Sequence, residues 1–136
     1  MLALFYRKGR KKQDPQLFVG LQPQEAWVGL YVGPHLLADD TPIRGVIEQH
    51  PEKLFDAARL GGIGAPGGNQ LATCERYGEV KTVLGGGDAA DFARGPHLVA
   101  MRRVPADEVV RAGDGFVTDC ADRLEALFPL WALYAG

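Results

Sequence analysis

The stretch Ala26 to Val32 constrains the fold most, because it is apolar on both of its alternating faces. Successive side chains of a strand point to opposite sides, so Trp27, Gly29 and Tyr31 share one face and Val28, Leu30 and Val32 the other. A strand with no polar face belongs at the centre of a sheet. Its neighbours are supplied by the preceding residues. Leu2 to Tyr6 is a short apolar run ending in the charged segment Arg7 to Pro15, which holds Gly9 and the turn pair Asp14-Pro15. Gln16 to Gln22 has strand composition and is separated from the next stretch by Pro23-Gln24-Glu25, a tight antiparallel connection. These segments predict a three-stranded meander.

Gly33-Pro34 ends the last strand, and Asp39-Asp40-Thr41-Pro42 has the caps and early proline of a helix start. Ile43, Val46 and Ile47 recur at helical spacing, Pro51 restarts the turn, and Leu54, Phe55, Ala58 and Leu60 continue the stripe. Gly61 to Asn69 contains five glycines and a proline and reads as a loop or hinge. Gln70 to Leu84 supports at most a short strand around Val80 to Leu84, and Asp88 can cap one helical turn through Phe92 after Gly85-Gly86-Gly87. Leu98 to Arg103 alternates and returns to the sheet, and Pro105 opens a short helix carrying Val109 and Val110. Asp114 then caps a final helix. Its stripe of Phe116, Val117, Cys120, Leu124, Leu127, Phe128 and Trp131 lies across the sheet, and Pro129 bends or ends it. The fold class predicted is α+β, an antiparallel sheet made of a meander plus a returning strand, with helices packed on one face.

At 136 residues the chain fits one domain spanning 1–136. Its 46% hydrophobic and 24% charged residues match a globular core that needs no staple or structural metal. No run approaches the roughly 18 apolar residues of a bilayer span, and Met1 to Tyr6 is too short for a signal peptide, which predicts a cytoplasmic protein with no membrane partner. Cys74 and Cys120 are too few and too far apart for a disulfide framework.

The net charge of −2 hides an asymmetry. Arg7, Lys8, Arg10, Lys11 and Lys12 contribute +5, which leaves −7 on the rest. An acidic body repels nucleic acid over most of its surface, so general nucleic-acid binding is disfavoured and any anionic ligand or protein partner has to use this basic loop. Phe5 and Tyr6 stand beside the loop as stacking surfaces.

Catalytic signals are few. The chain contains no serine, and Cys74 has no histidine near it in sequence, so neither nucleophile is supported. His35, His50 and His97 show no metal-ligand spacing, and neither a metal nor a cofactor is predicted. Gly62, Gly64 and Gly67 match a dinucleotide fingerprint in letters only, since that motif leaves a strand and opens a helix, and here it leaves a helical pattern and contains Pro66. His35 with Asp39 and Asp40 forms the one candidate acid/base cluster, with helix capping as the simpler account of both aspartates.

The order of these segments resembles a family of uncharacterised bacterial and fungal proteins, domain of unknown function 2461. The resemblance rests on Phe-x-Arg-x-Gly-Arg-Lys (Phe5 to Lys11), the strand pair Leu17 to Pro23 and Trp27 to Val32, and the helix Ile43 to Ala57 with its Pro51-Glu52 step. It continues in Arg-x-Val-Pro-x-Asp-Glu-Val (Arg102 to Val109) and Phe116 to Pro129. It implies the C-terminal half of a pattern about twice as long, whose basic and aromatic N-terminal part has no counterpart here. It carries over no catalytic residue.

The leading expectation is a non-catalytic binding domain that meets an anionic partner through Arg7 to Lys12. The alternative is a small hydrolase-like enzyme with His35, Asp39 and Asp40 lining a cleft under the Gly61 to Asn69 loop.

Overall fold

The computed structural model describes residues 2–5, 7–10, 14–33, 36, 40–76, 79–84 and 99–136. Among these, six strands form one fully antiparallel sheet in the order β1-β2-β3-β6-β4-β5. The meander is β1 (Leu2–Phe5), β2 (Gln16–Leu21) and β3 (Glu25–Tyr31). The returning strand β6 (Val99–Pro105) pairs along the whole of β3, from Glu25 opposite Pro105 to Tyr31 opposite Val99. This makes β3 an interior strand, as its two apolar faces require.

The segment 70–84 departs from the single short strand expected there. It forms a hairpin of β4 (Gln70–Arg76) and β5 (Glu79–Leu84) that joins the sheet through only three residue pairs, Gln70 to Ala72 against Ala100 and its neighbours. β4 meets β6 over its first three residues and only β5 beyond them, and there Thr73, Glu75 and Arg76 break the apolar alternation that marks a strand. The single helical turn expected at Asp88 to Phe92 lies outside the described residues.

Directly opposed residues of an antiparallel pair lie on one face, so the register separates the two sides of the sheet. Leu17, Leu30 and Ala100 share the face covered by helices. On it pack α1 (Pro42–Gln49), α2 (Pro51–Leu60) and the long helix α4 (Gly115–Ala135), after the short α3 (Ala106–Ala112). The core joins Leu30, Val32 and Ala100 to Ile43, Leu54, Ala58, Leu127, Leu130 and Tyr134. On the other face Phe18, Gly29 and Met101 are lateral neighbours, and Phe18 and Met101 are both buried.

The helix ends follow the chain's punctuation with three departures, at Thr41, Asp114 and Pro129. Pro51 opens α2 directly after α1, with Glu52 in its first turn and Arg59 in its last, each matching the helix dipole. Thr41, and not Asp39 or Asp40, occupies the N-cap position of α1, and its hydroxyl donates to the Leu36 carbonyl at 3.0 Å. Asp114 stands at the N-cap position of α4, but its backbone is already helical (φ −62, ψ −23) and its side chain makes no cap bond. A capping carboxylate needs extended backbone to reach the next amides. Pro129 does not end α4, which runs on to Ala135 and brings Leu130, Trp131 and Tyr134 into the core.

Candidate functional site

The basic loop opens as a tight turn. Arg10 N–H donates to the Arg7 carbonyl at 2.9 Å, with Gly9 at φ +75 in the third position. A positive φ there is the signature of a type II turn and explains the glycine. The chain returns through Asp14, whose amide donates to the Arg10 carbonyl at 2.8 Å.

Asp14 is the centre of the loop. Its side chain has 0% exposure. Arg7 holds it in a fork, Nη2 to Oδ1 at 2.7 Å and Nε to Oδ2 at 2.9 Å, and the Arg7 amide adds a third bond at 3.1 Å. Arg10 Nε donates to Oδ1 at 3.2 Å. The hydrogen bonds from Arg7 hold the Asp14 carboxyl down at about 2, against the opposing effect of burial, and the same pairing raises the Arg7 guanidinium.

Arg7 also ties the loop to the end of the long helix. Nη2 donates to the Ala135 carbonyl at 2.9 Å, satisfying a helix end that lacks intrahelical donors, and the guanidinium lies 5.5 Å from the centre of the Trp131 ring. Trp131 stacks on Phe128 at 5.3 Å and donates Nε1–H to the buried Pro15 carbonyl at 2.8 Å. One stack therefore runs Phe128, Trp131, Arg7, Asp14, and it fixes α4 against the entry to β2.

Beside this stack lies a groove of about 230 Å³ lined by Phe5, Arg7, Leu17, Phe128 and Trp131. Phe5 and Phe128 are 50% and 53% exposed. The floor, Leu17 and Trp131, is far better covered. The positive charge of the loop is divided unequally around it. Arg7 is spent on Asp14, Arg10 shares the same carboxylate, and Lys8 is exposed with no ion pair among the described residues. Lys11, Lys12 and Tyr6 lie outside the described residues. Sequence reasoning found the basic loop and Phe5. It missed Asp14 as the loop's organiser and Phe128 and Trp131 as the opposite wall, because both lie more than a hundred residues from Phe5 and were assigned to the core stripe.

The acid/base cluster is not assembled by what is described. His35 and Asp39 fall outside the described residues, and Asp40 is exposed in the turn before Thr41. No group of three His, Cys, Asp or Glu side chains that could hold a metal occurs among the described residues. Cys120 is a buried free thiol, pushed up by that burial and so less reactive.

The glycine loop is closed on itself. Gly62, Gly64 and Gly67 all have positive φ (77, 80 and 68). The amides of Gly61, Gly62, Ile63, Gly64, Ala65, Gly68 and Asn69 each donate to a carbonyl within 57–69. A phosphate cradle needs such amides unpaired and convergent, so this geometry excludes one here and agrees with rejecting the dinucleotide motif. The segment is the loop its glycines predict, tied by its own hydrogen bonds. No helix among the described residues is long and apolar enough to cross a membrane. The chain matches no protein-family profile, no curated protein and no solved structure.

Proposed function

We propose that this protein is a non-catalytic binding domain whose site is the groove between β1, β2 and the C-terminal half of α4. Its ligand is anionic and carries one ring-sized apolar group. The observation that carries this reading is the adjacency of an exposed aromatic groove to a basic turn that is already locked in place. The groove supplies apolar contact, and the surplus charge of Lys8, Arg10, Lys11 and Lys12 supplies attraction that the acidic remainder of the surface lacks. Because Arg7 holds the turn through Asp14 and Trp131, little ordering entropy remains to oppose binding there. A cytoplasmic setting and kinship with domain of unknown function 2461 belong to the same proposal. The first is supported by two widely spaced cysteines, one of them a buried free thiol.

The test is retention on immobilised heparin as salt is raised. The triple variant Lys8→Gln, Arg10→Gln, Lys11→Gln leaves the Arg7–Asp14 fork intact. Earlier elution is expected, with the salt slope falling by about one for each charge that contacted the ligand. Elution and slope matching the unmodified protein would remove the basic loop from the site.

A further inference from the structure

We infer that the occupant of the groove is an amphipathic helix of a partner protein, lying beside α4 over the β1 edge, with an aromatic anchor between Phe5 and Phe128 and acidic residues against the basic turn. The inference rests on the binding reading above and names the class of partner. Alternation along β2 puts Leu17, Val19 and Leu21 on the helix-covered side of the sheet. Leu17 and Val19 are only half-buried there, and Leu21 is 37% exposed. The cover is incomplete because α4 packs on β2 and β3, and no helix packs comparably on β1 among the described residues. Neighbouring helices lie about 8–10 Å apart, close to the width of two strands, so the next place in the helix layer is above β1.

A second apolar seam of α4 faces that place. Asp122, Arg123 and Ala126 border the cleft beside the glycine loop, whereas Phe128 and Trp131 border the groove over Phe5 and Leu17. Val117, Ala121 and Leu124 lead to Phe128 in successive steps of four, three and four residues, which lines them up on the groove side of the helix. Val117 is 72% exposed, Ala121 is exposed and Leu124 is half-buried. From Val117 to Phe128 the seam runs about 16 Å at the helical rise. A row at this spacing accepts the side chains of another helix between its own, and an extended chain with its period of two matches it poorly. The core of the protein uses a different stripe, Leu127, Leu130 and Tyr134, so folding does not consume the seam.

Charge selects the partner. Arg7 ties the basic turn to the last turn of α4, so Lys8 and Arg10 stand at the Phe128 end of the seam, and Lys8 is exposed with no ion pair among the described residues. Glu125, also exposed, borders the seam at its middle. Acids on a docked helix are therefore attracted beside the turn and repelled along the centre. The complementary helix is apolar through its centre and acidic at one end. Its C-terminus belongs at the turn, where the negative end of its dipole meets the same cations.

The test uses a synthetic peptide of about three heptads, with leucine at a and d, phenylalanine at the last a, alanine and glutamine elsewhere and glutamate in the final turn. Titrated into nitrogen-labelled protein, it is expected to give saturable NMR shifts at Val19, Leu21, Val117 and Ala121 and to gain helical circular dichroism. Ala121→Glu and Ala121→Lys, exposed substitutions of opposite charge, are each expected to weaken the peptide about tenfold. Both variants are expected to leave binding of anilinonaphthalene sulfonate at Phe5 and Phe128 unchanged. No peptide binding, with the aromatic anion still saturating the groove, overturns the helical partner alone, and failure of both ligands overturns the groove as a site. Peptide binding undiminished in the Ala121 variants overturns the seam. So do shifts confined to Leu2 to Phe5 without gain of helix, which mean an added strand, and dimerisation of the protein alone through Val117 and Ala121. Shifts at Val117 and Ala121 from phosphatidylserine vesicles and none from the peptide would assign the face to a lipid surface.

Discussion

Asp14 is buried and takes hydrogen bonds from two arginines that keep about half their contact with water. Its depression from an ordinary 3.8 to about 2 corresponds to about 2 kcal/mol of stability. Because the folded value lies below the unfolded one, that stability is complete above about pH 4 and is lost as the pH falls through about 2. Asp14→Asn is therefore expected to lower unfolding stability by about 2 kcal/mol near neutral pH in urea titrations. The difference from the unmodified protein should shrink toward zero between about pH 4 and about pH 2. A difference independent of pH would show that the carboxylate charge contributes nothing. Glycine positions give a second contrast. A Cβ at Gly29 would overlap the Ala100 carbonyl oxygen and the Met101 backbone in the middle of the sheet, whereas one at Gly45 meets nothing within 4 Å. Gly29→Ala should cost about 3 kcal/mol or prevent folding, and Gly45→Ala in α1 should stabilise by about 0.5 to 1 kcal/mol in the same assay. At this scale the basic cluster was legible in the sequence as charge, but its division of labour was not. Asp14 stands seven residues from Arg7 and four from Arg10, and only the closing of the turn makes one carboxylate the partner of both.

The long helix α4 shows what pattern can and cannot reveal about an element. Cys120, Leu127 and Trp131 of the expected stripe are buried, while Val117 and Phe128 are exposed at 72% and 53%. The stripe read from the sequence runs to Trp131, with Pro129 expected to bend or end the helix, since proline breaks an intrahelical bond. The helix continues because Pro129 sits on its exposed side, and Leu130 and Tyr134 then complete the buried face. Leu127→Ala should destabilise by about 3 kcal/mol, and Phe128→Ser by less than about 1 kcal/mol, in thermal or urea unfolding. Equal losses would mean that the two faces of α4 have been exchanged. The strands divide in the same way. Strand composition and alternation marked β1, β2, β3 and β6, and a short strand at Val80 to Leu84 that is β5, but missed β4, which meets β6 over one short stretch.

At the scale of the whole molecule, the basic turn and the exposed rings of Phe5 and Phe128 meet at one corner. The helix-covered face of the sheet is closed by α1, α2 and α4, and the stack from Phe128 to Asp14 pins the last turn of α4 to the loop between β1 and β2. This docking brings Phe5 and Phe128, far apart in sequence, to opposite sides of one groove. The fold class was readable from periodicity and turn chemistry. The groove was not, because it exists only once the two ends of the chain meet. Titration with anilinonaphthalene sulfonate, an aromatic anion, tests that groove most directly when followed by NMR on nitrogen-labelled protein. Saturable shifts confined to Phe5, Lys8, Leu17, Phe128 and the Trp131 indole, lost in the double variant Lys8→Glu, Phe128→Asp, are the predicted result. Shifts centred elsewhere, such as on Val110 and Val117, or an undiminished response in the double variant, would contradict the account.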